Sequence, residues 1–196
     1  MHATLADVIA DTAQNAIEAG ARHITLSLAE DGTVIAVRIT DDGKGMDEAT
    51  QARAFNPFYT EPGKHDKRKV GLGLPILKQI CESTDGAVSL KSQKGVGTEL
   101  SYSFSATHID LPPMGDLVDA VLMLFNYPGD FDLVFTHRKG ENEYAISRLE
   151  LAEAVGGLER VEGLSLAREF LQSQEDDLES QEDDLGASSD ASVHAH

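Results

Sequence analysis

The chain has 196 residues, 41% of them hydrophobic, and a single cysteine, Cys81. That is apolar material enough for a buried core without covalent staples; a disulfide framework is excluded, and a reducing cytoplasm is the expected compartment. Thirty-four acidic residues against 16 basic ones give a net charge of -18, which argues against nucleic acid or anionic lipid as partners, because their phosphates would be repelled at long range.

No apolar run reaches the roughly 20 residues of a membrane span, and no basic stretch followed by a hydrophobic block opens the chain, so neither a membrane segment nor export is expected. Residues 5–19 place Leu5, Val8, Ile9, Ala13, Ala16 and Ile17 at steps of three and four, an amphipathic helix ended by Gly20. Residues 24–29 and 33–40 alternate apolar and polar around Asp31-Gly32, the signature of a hairpin. A loop, 41–46, leads to a short helix over 47–55, then Asn56-Pro57-Phe58-Tyr59 and a polar segment to Lys69. A helix over 74–83 carries Cys81 in line with Ile76, Leu77 and Ile80, the setting of a buried structural thiol. Two strands, 87–92 and 98–105, follow, joined by Lys94-Gly95-Val96-Gly97.

This order fits an α+β fold, a two-layer sandwich with helices on one face of a mixed, mostly antiparallel sheet. Pro112-Pro113 marks a boundary. The expected organisation is a first domain over 1–110, a small α/β appendage over 111–172, and an acidic tail over 173–196. In the appendage, 117–125 is a strongly apolar helix, 131–136 and 143–147 form a hairpin that exposes His137, and 149–155 and 164–171 are helical. Its small size requires support from the first domain or from a second subunit, which makes a homodimer one expected state. The tail repeats Ser-Gln-Glu-Asp-Asp-Leu at 173–178 and 180–185, a composition that predicts disorder.

Three stretches can carry chemistry. Asp11 and Asn15 lie one helical turn apart on one side of the first helix. They read either as a solvent-facing polar pair or as a carboxylate that orients a water beside an amide oxygen fit for Mg²⁺. Asp41-Asp42-Gly43-Lys44-Gly45 directly after a strand reads either as an ordinary turn or as a carboxylate placed to accept from an exocyclic amine. Residues 64–69 hold four cations in six positions, the only concentrated basic segment of an acidic chain. It runs into Gly71-Leu72-Gly73-Leu74-Pro75 at a helix start, an arrangement suited to phosphate. No pair of histidines has metal-ligand spacing, so no zinc site is assigned.

Asn15, Asp41-Asp42-Gly43-Lys44-Gly45-Met46, Phe55-Asn56-Pro57-Phe58-Tyr59, Gly71-Leu72-Gly73-Leu74 and Gly95-Val96-Gly97-Thr98 together resemble, in order, the N, G1, F, G2 and G3 boxes of the histidine-kinase-type ATPase superfamily. The resemblance covers residues 5–106 and implies the Bergerat ATP-binding fold. It implies that ATP and Mg²⁺ are bound, with Asn15 as the metal ligand and Asp41 reading the adenine amine. Gly43, Gly45 and Met46 would shape the base pocket, with Phe58 contributing from the F box. The segment from Tyr59 to Lys69 would be the lid, Gly71, Leu72, Gly73 and Leu74 would meet the phosphates, and Thr98 would close the pocket beside Asp41. Asp11 stands where hydrolysing relatives carry Glu, which implies a catalytic base with a shorter reach and slow turnover. The four residues ahead of the first helix leave no room for a sensor kinase's dimerising hairpin, so autophosphorylation in that manner is not expected. Three functions follow: an ATPase or kinase acting on a separate protein, an ATP-responsive interaction module, or a protein similar to anti-sigma serine kinases, whose pattern the segment beyond Pro112 does not share.

Overall fold

Helix α1 (Leu5–Glu18) begins where Thr4 can cap it: the Asp7 amide donates to Thr4 Oγ1 at 3.1 Å and the Thr4 amide donates to Asp7 Oδ2 at 2.9 Å. A computed structural model of the chain describes residues 4–56 and 73–190, with 181–190 as backbone alone. Apart from a stripe holding Asp7, Asp11, Asn15 and Glu18, α1 is buried over most of its surface. Strands β1 (His23–Glu30) and β2 (Val34–Asp41) form the expected hairpin, closed by Asp31, whose carboxylate accepts from the amides of Thr33 and Val34. The helix expected over 47–55 is reduced to α2 (Glu48–Gln51) and irregular turns. After residue 72 come α3 (Gly73–Ser83), β3 (Ala87–Gln93) and β4 (Gly97–Ser105). Cys81 is buried, and burial pushes its thiol up to about 11.

The chain from residue 111 does not stand apart from this layer. Helix α4 (Leu117–Phe125) packs beside α1, and β5 (Asp132–Lys139) and β6 (Asn142–Ser147) continue the sheet. Among the described residues six strands form one sheet in the order β3-β4-β2-β1-β5-β6. All pairs are antiparallel except β1 with β5, where Ile24 aligns with Leu133 and Leu28 with His137. Pro113 and Met114 also offer their carbonyls to the free amides of Leu5 and Ala6 at the start of α1. The expected α+β sandwich, a mixed and mostly antiparallel sheet with helices on one face, is therefore formed. Its core lies between the sheet and the helices and contains Leu26, Val37, Leu77, Phe104, Phe125 and Phe135. The opposite face of the sheet carries small and polar side chains such as Thr25, Ser27, Ser101 and Thr136, as an antiparallel sheet wetted on one side should.

Helices α5 (Arg148–Val155) and α6 (Val161–Asp190) follow. α6 runs on to Asp190, into the range expected as an acidic tail, and within its described side chains Leu178 continues the buried line of Ala167 and Leu171 at helical spacing despite the first acid-rich repeat. His137 is not an exposed hairpin residue but 3% exposed. Its two ring nitrogens meet Glu175 of α6 at 3.0 Å and Glu30 of β1 at 2.9 Å, and Tyr144 donates to the same Glu175 carboxylate. Partners brought from three elements make that burial tolerable.

Candidate functional site

One ladder row decides the polarity of the site. Asp41 on β2 faces Thr98 on β4, and Thr98 faces Ser92 on β3, all three on the helix-covered side. The next row inward is apolar: Ile39, Leu100 and Leu90 occupy the same positions on the same strands. Over these two rows stand Thr12, Asn15 and Ala16 of α1 and Ala19 just after it, with Lys44, Gly45 and Met46 from the loop after β2 and Leu74 from α3, enclosing a cavity of about 150 Å³. That is below the ~300–1,000 Å³ of pockets that hold a whole small ligand. It suits one flat apolar ring system, with a carboxylate and a hydroxyl at one edge.

The two acids of the Asp41-Asp42 pair do different work. The Asp42 carboxylate takes the amides of Arg22 and His23 at 2.7 and 2.9 Å, pinning the end of β2 to the start of β1. Bonds from the His23 amide and ring and from the Arg22 amide hold it down at about 2. Asp41 turns the other way, into the cavity. Burial pushes its carboxyl above the usual range, and the amides of Gly43 and Thr98 oppose this; the Gly43 amide lies 2.8 Å from Oδ1. A half-buried carboxylate with an open side toward an apolar slot is a strong acceptor for a ligand N–H.

Glycine is required at two positions around this row. Gly97 has φ +138°, and a Cβ there would lie 1.9 Å from the Asp41 carbonyl oxygen. Gly45 has φ +57°, and a Cβ there would lie 2.0 Å from the Gln93 carbonyl oxygen. Both allow backbone to press on backbone where the loops close the cavity. The loop is tied down further by Lys44 N–H to Ala19 O at 3.0 Å and Gly95 N–H to Lys44 O at 2.8 Å.

Of the residues expected at the site, Asn15, Asp41, Gly45, Met46, Leu74 and Thr98 line the cavity. Gly43 stands behind Asp41, and Gly73 opens α3. Asp11 lies one turn from Asn15 on the exposed stripe of α1 and does not line the cavity. Phe58, Lys69, Gly71 and Leu72, together with the whole lid segment, lie outside the described residues. Sequence reasoning missed Ser92 and Gln51. The Met46 amide donates to Ser92 Oγ at 2.8 Å, and the Ser92 amide donates to Gln51 Oε1 at 2.9 Å. Gln51 Nε2 in turn donates to Leu90 O at 3.2 Å, so one side-chain amide satisfies two of the backbone groups on the free edge of β3. The signal for Ser92 was the alternation Val88, Leu90, Ser92, which puts a hydroxyl at a core-facing position.

At the cavity a metal would find the side-chain amide oxygen of Asn15, with the carboxylates of Glu18 and Asp41 on the same lining. Among the described residues no group of three or more His, Cys, Asp or Glu could hold an ion. Among the same residues no helix is long and apolar enough to cross a membrane.

Residues 2–108 match the family described as histidine kinase-, DNA gyrase B- and HSP90-like ATPase. The heme sensor protein HssS of Staphylococcus saprophyticus is 36% identical over 104 residues, which is 53% of this chain and 22% of that protein. The sensor histidine kinase YxdK of Bacillus subtilis is 36% identical over 76 residues, 38% of this chain and 23% of that protein. The chain thus spans under a quarter of the length of these relatives. Among solved structures, the N-terminal domain of a DNA repair protein superposes with a TM-score of 0.52 at 14% identity, covering 73% of this chain and 51% of that one. This likeness is one of fold. The match over more than half of the chain, together with a slot that ends in Asp41 and Thr98, places the chain in the histidine kinase-, DNA gyrase B- and HSP90-like ATPase family, with residues 2–108 as its ATP-binding domain.

Proposed function

We propose that this chain binds ATP with Mg²⁺ and turns it over slowly or passes the γ-phosphoryl group to a separate protein in the cytoplasm. The observation that carries the proposal is Asp41, a half-buried carboxylate at the end of an apolar slot one ring system in size. Ile39, Leu90 and Leu100 take one face of the base, and Ala16 of α1 and Ala19 at its C-terminal end take its side. Asp41 accepts from the exocyclic amine. Asn15 and Lys44, at the same cavity, face the part of the ligand that carries charge.

The donor set fits Mg²⁺, which dehydrates reluctantly and is held by one or two protein oxygens plus phosphates and waters. When bound through Asn15, the ion would screen the charge on the phosphate oxygens. Asp11 then acts as base: it takes the proton from a water or hydroxyl as the new O–P bond forms and the bond to the bridging oxygen breaks, with ADP leaving with the electron pair. Calorimetric titration of ATP with Mg²⁺ into the wild-type chain and into Asp41→Asn tests the binding. Affinity present in the first and lost in the second supports it, and no heat with the wild-type chain removes it. Turnover unchanged in Asp11→Asn would take Asp11 out of the base's role.

A second reading is favoured by the position of Asp11 outside the cavity and by apolar side chains each more than 40% exposed: Met123 of α4 and Val161 of α6 line one surface cleft, and Leu166 and Phe170 lie on another side of α6. In it, ATP orders the site to present a surface to a protein partner, and hydrolysis is incidental. Partner capture that depends on ATP in Asp11→Asn and is abolished in Asp41→Asn supports this reading over the enzyme.

A further inference from the structure

Ser92 Oγ makes three contacts within hydrogen-bond distance: 2.8 Å from the Met46 amide nitrogen, 3.0 Å from the Gly97 carbonyl oxygen and 2.9 Å from Thr98 Oγ1. Three protons are available to them: one on the amide, one on each hydroxyl. The carbonyl of Gly97 has none, so the Ser92 proton must go there. The Met46 amide proton points at Ser92. The contact between the hydroxyls is then a hydrogen bond only if Thr98 donates to Ser92. No other assignment satisfies all three.

The consequence reaches the cavity. With its proton held by Ser92, Thr98 Oγ1 shows the ligand lone pairs only. Asp41, directly opposite Thr98 in the ladder, is likewise an acceptor. Directly opposed residues on one sheet face hold their Cβ atoms about 4.5–5.5 Å apart. Two acceptors bonded at ~2.9 Å to the two hydrogens of one amino nitrogen stand roughly 5 Å apart. The row is thus matched to a ring carrying –NH₂ and mismatched to a ring carrying a carbonyl at that point, which would bring a third acceptor to two others.

We propose that Ser92 is a positioning residue that fixes Thr98 as an acceptor and thereby makes the pocket select 6-aminopurine over 6-oxopurine nucleotides. Gln51 supports it by holding the Ser92 amide on the sheet edge. The proposal rests on the reading that the cavity takes the base of ATP. It assigns the selectivity to a residue behind the one that touches the base.

The test measures ADP and IDP affinities of the full chain by calorimetry, the diphosphates being chosen to avoid turnover. Ser92→Ala frees the Thr98 hydroxyl to rotate and donate to a carbonyl, so the ratio of ADP to IDP affinity should fall roughly tenfold. Ser92→Thr keeps the hydroxyl and should restore the wild-type ratio. In a Thr98→Val background, Ser92→Ala should leave the ratio where Thr98→Val alone puts it. Ser92→Cys, close in size and a poor hydrogen-bonding partner, gives the same readout as Ser92→Ala should that variant not fold. A wild-type ratio retained in Ser92→Ala or Ser92→Cys, whatever happens to absolute affinity, overturns the role of Ser92 while leaving ATP binding intact. Failure of the wild-type chain to bind ADP overturns the underlying reading instead, and the two failures are distinct on the first titration.

Discussion

His137 and Glu175 join the last strand pair to the last helix: His137 Nδ1 lies 3.0 Å from both carboxylate oxygens of Glu175. Burial alone would lower the imidazole, but Glu175 and Glu30 outweigh it and raise it from 6.5 to about 9. Because the folded value lies above the unfolded one, this contribution to stability is full below pH 6.5. It is lost as pH rises through about 9. Urea unfolding from pH 6 to 10 should therefore show a decline on the order of 2–3 kcal/mol over that interval. His137→Gln should be less stable at pH 6 and should flatten the decline. An equally steep decline in the variant would assign it to other groups.

Asp41→Asn should separate binding from folding. Burial raises the carboxyl of Asp41, so its ionised form is a cost to the folded state once pH exceeds that raised value. The substitution should abolish detectable ATP binding while leaving the melting temperature at neutral pH equal to or above that of the wild-type chain. A large fall in melting temperature would show that Asp41 is a structural residue.

Gly97→Ala puts a methyl 1.9 Å from the Asp41 carbonyl at a φ that L residues rarely adopt. The end of β4 must move, and Thr98 with it. Scanning calorimetry should show a loss of about 2–4 kcal/mol, and ATP affinity should fall with it. Gly32→Ala, where nothing lies within 4 Å, shares the positive φ without the clash and should cost less.

Leu178 closes the first acidic repeat and is 4% exposed. Leu178→Ala should lower stability by about 2–3 kcal/mol in urea unfolding, as truncation of a buried leucine does. No change would return the segment to a solvated tail.

The elements near the site were legible in the sequence because each is local. Alternation marked β1 and β2, the Lys94-Gly95-Val96-Gly97 turn marked β3 and β4, and Asp41 and Thr98 stand at the strand ends that the motifs indicate. Ser92 was legible only as a polar residue at a core-facing position; its meaning depends on the register with Thr98, which no single strand carries. His137 looked like a hairpin residue because its partners, Glu30 and Glu175, lie far away in the chain. The acidic repeats concealed a helix because composition averages over residues, while burial depends on the spacing of Ala167, Leu171 and Leu178.

The parallel pairing of β1 with β5 has a consequence for how the molecule is made. Ile24 waits for Leu133, a residue more than a hundred positions downstream. A chain emerging from the ribosome completes every strand of the nucleotide pocket first. Until Asp132–Lys139 follows, it carries β1 as an unpaired edge, open to mispairing with a neighbouring nascent chain. The time that edge stays open is set by translation speed, so the yield of folded protein should respond to pauses placed between residues 106 and 131 more than to pauses anywhere earlier.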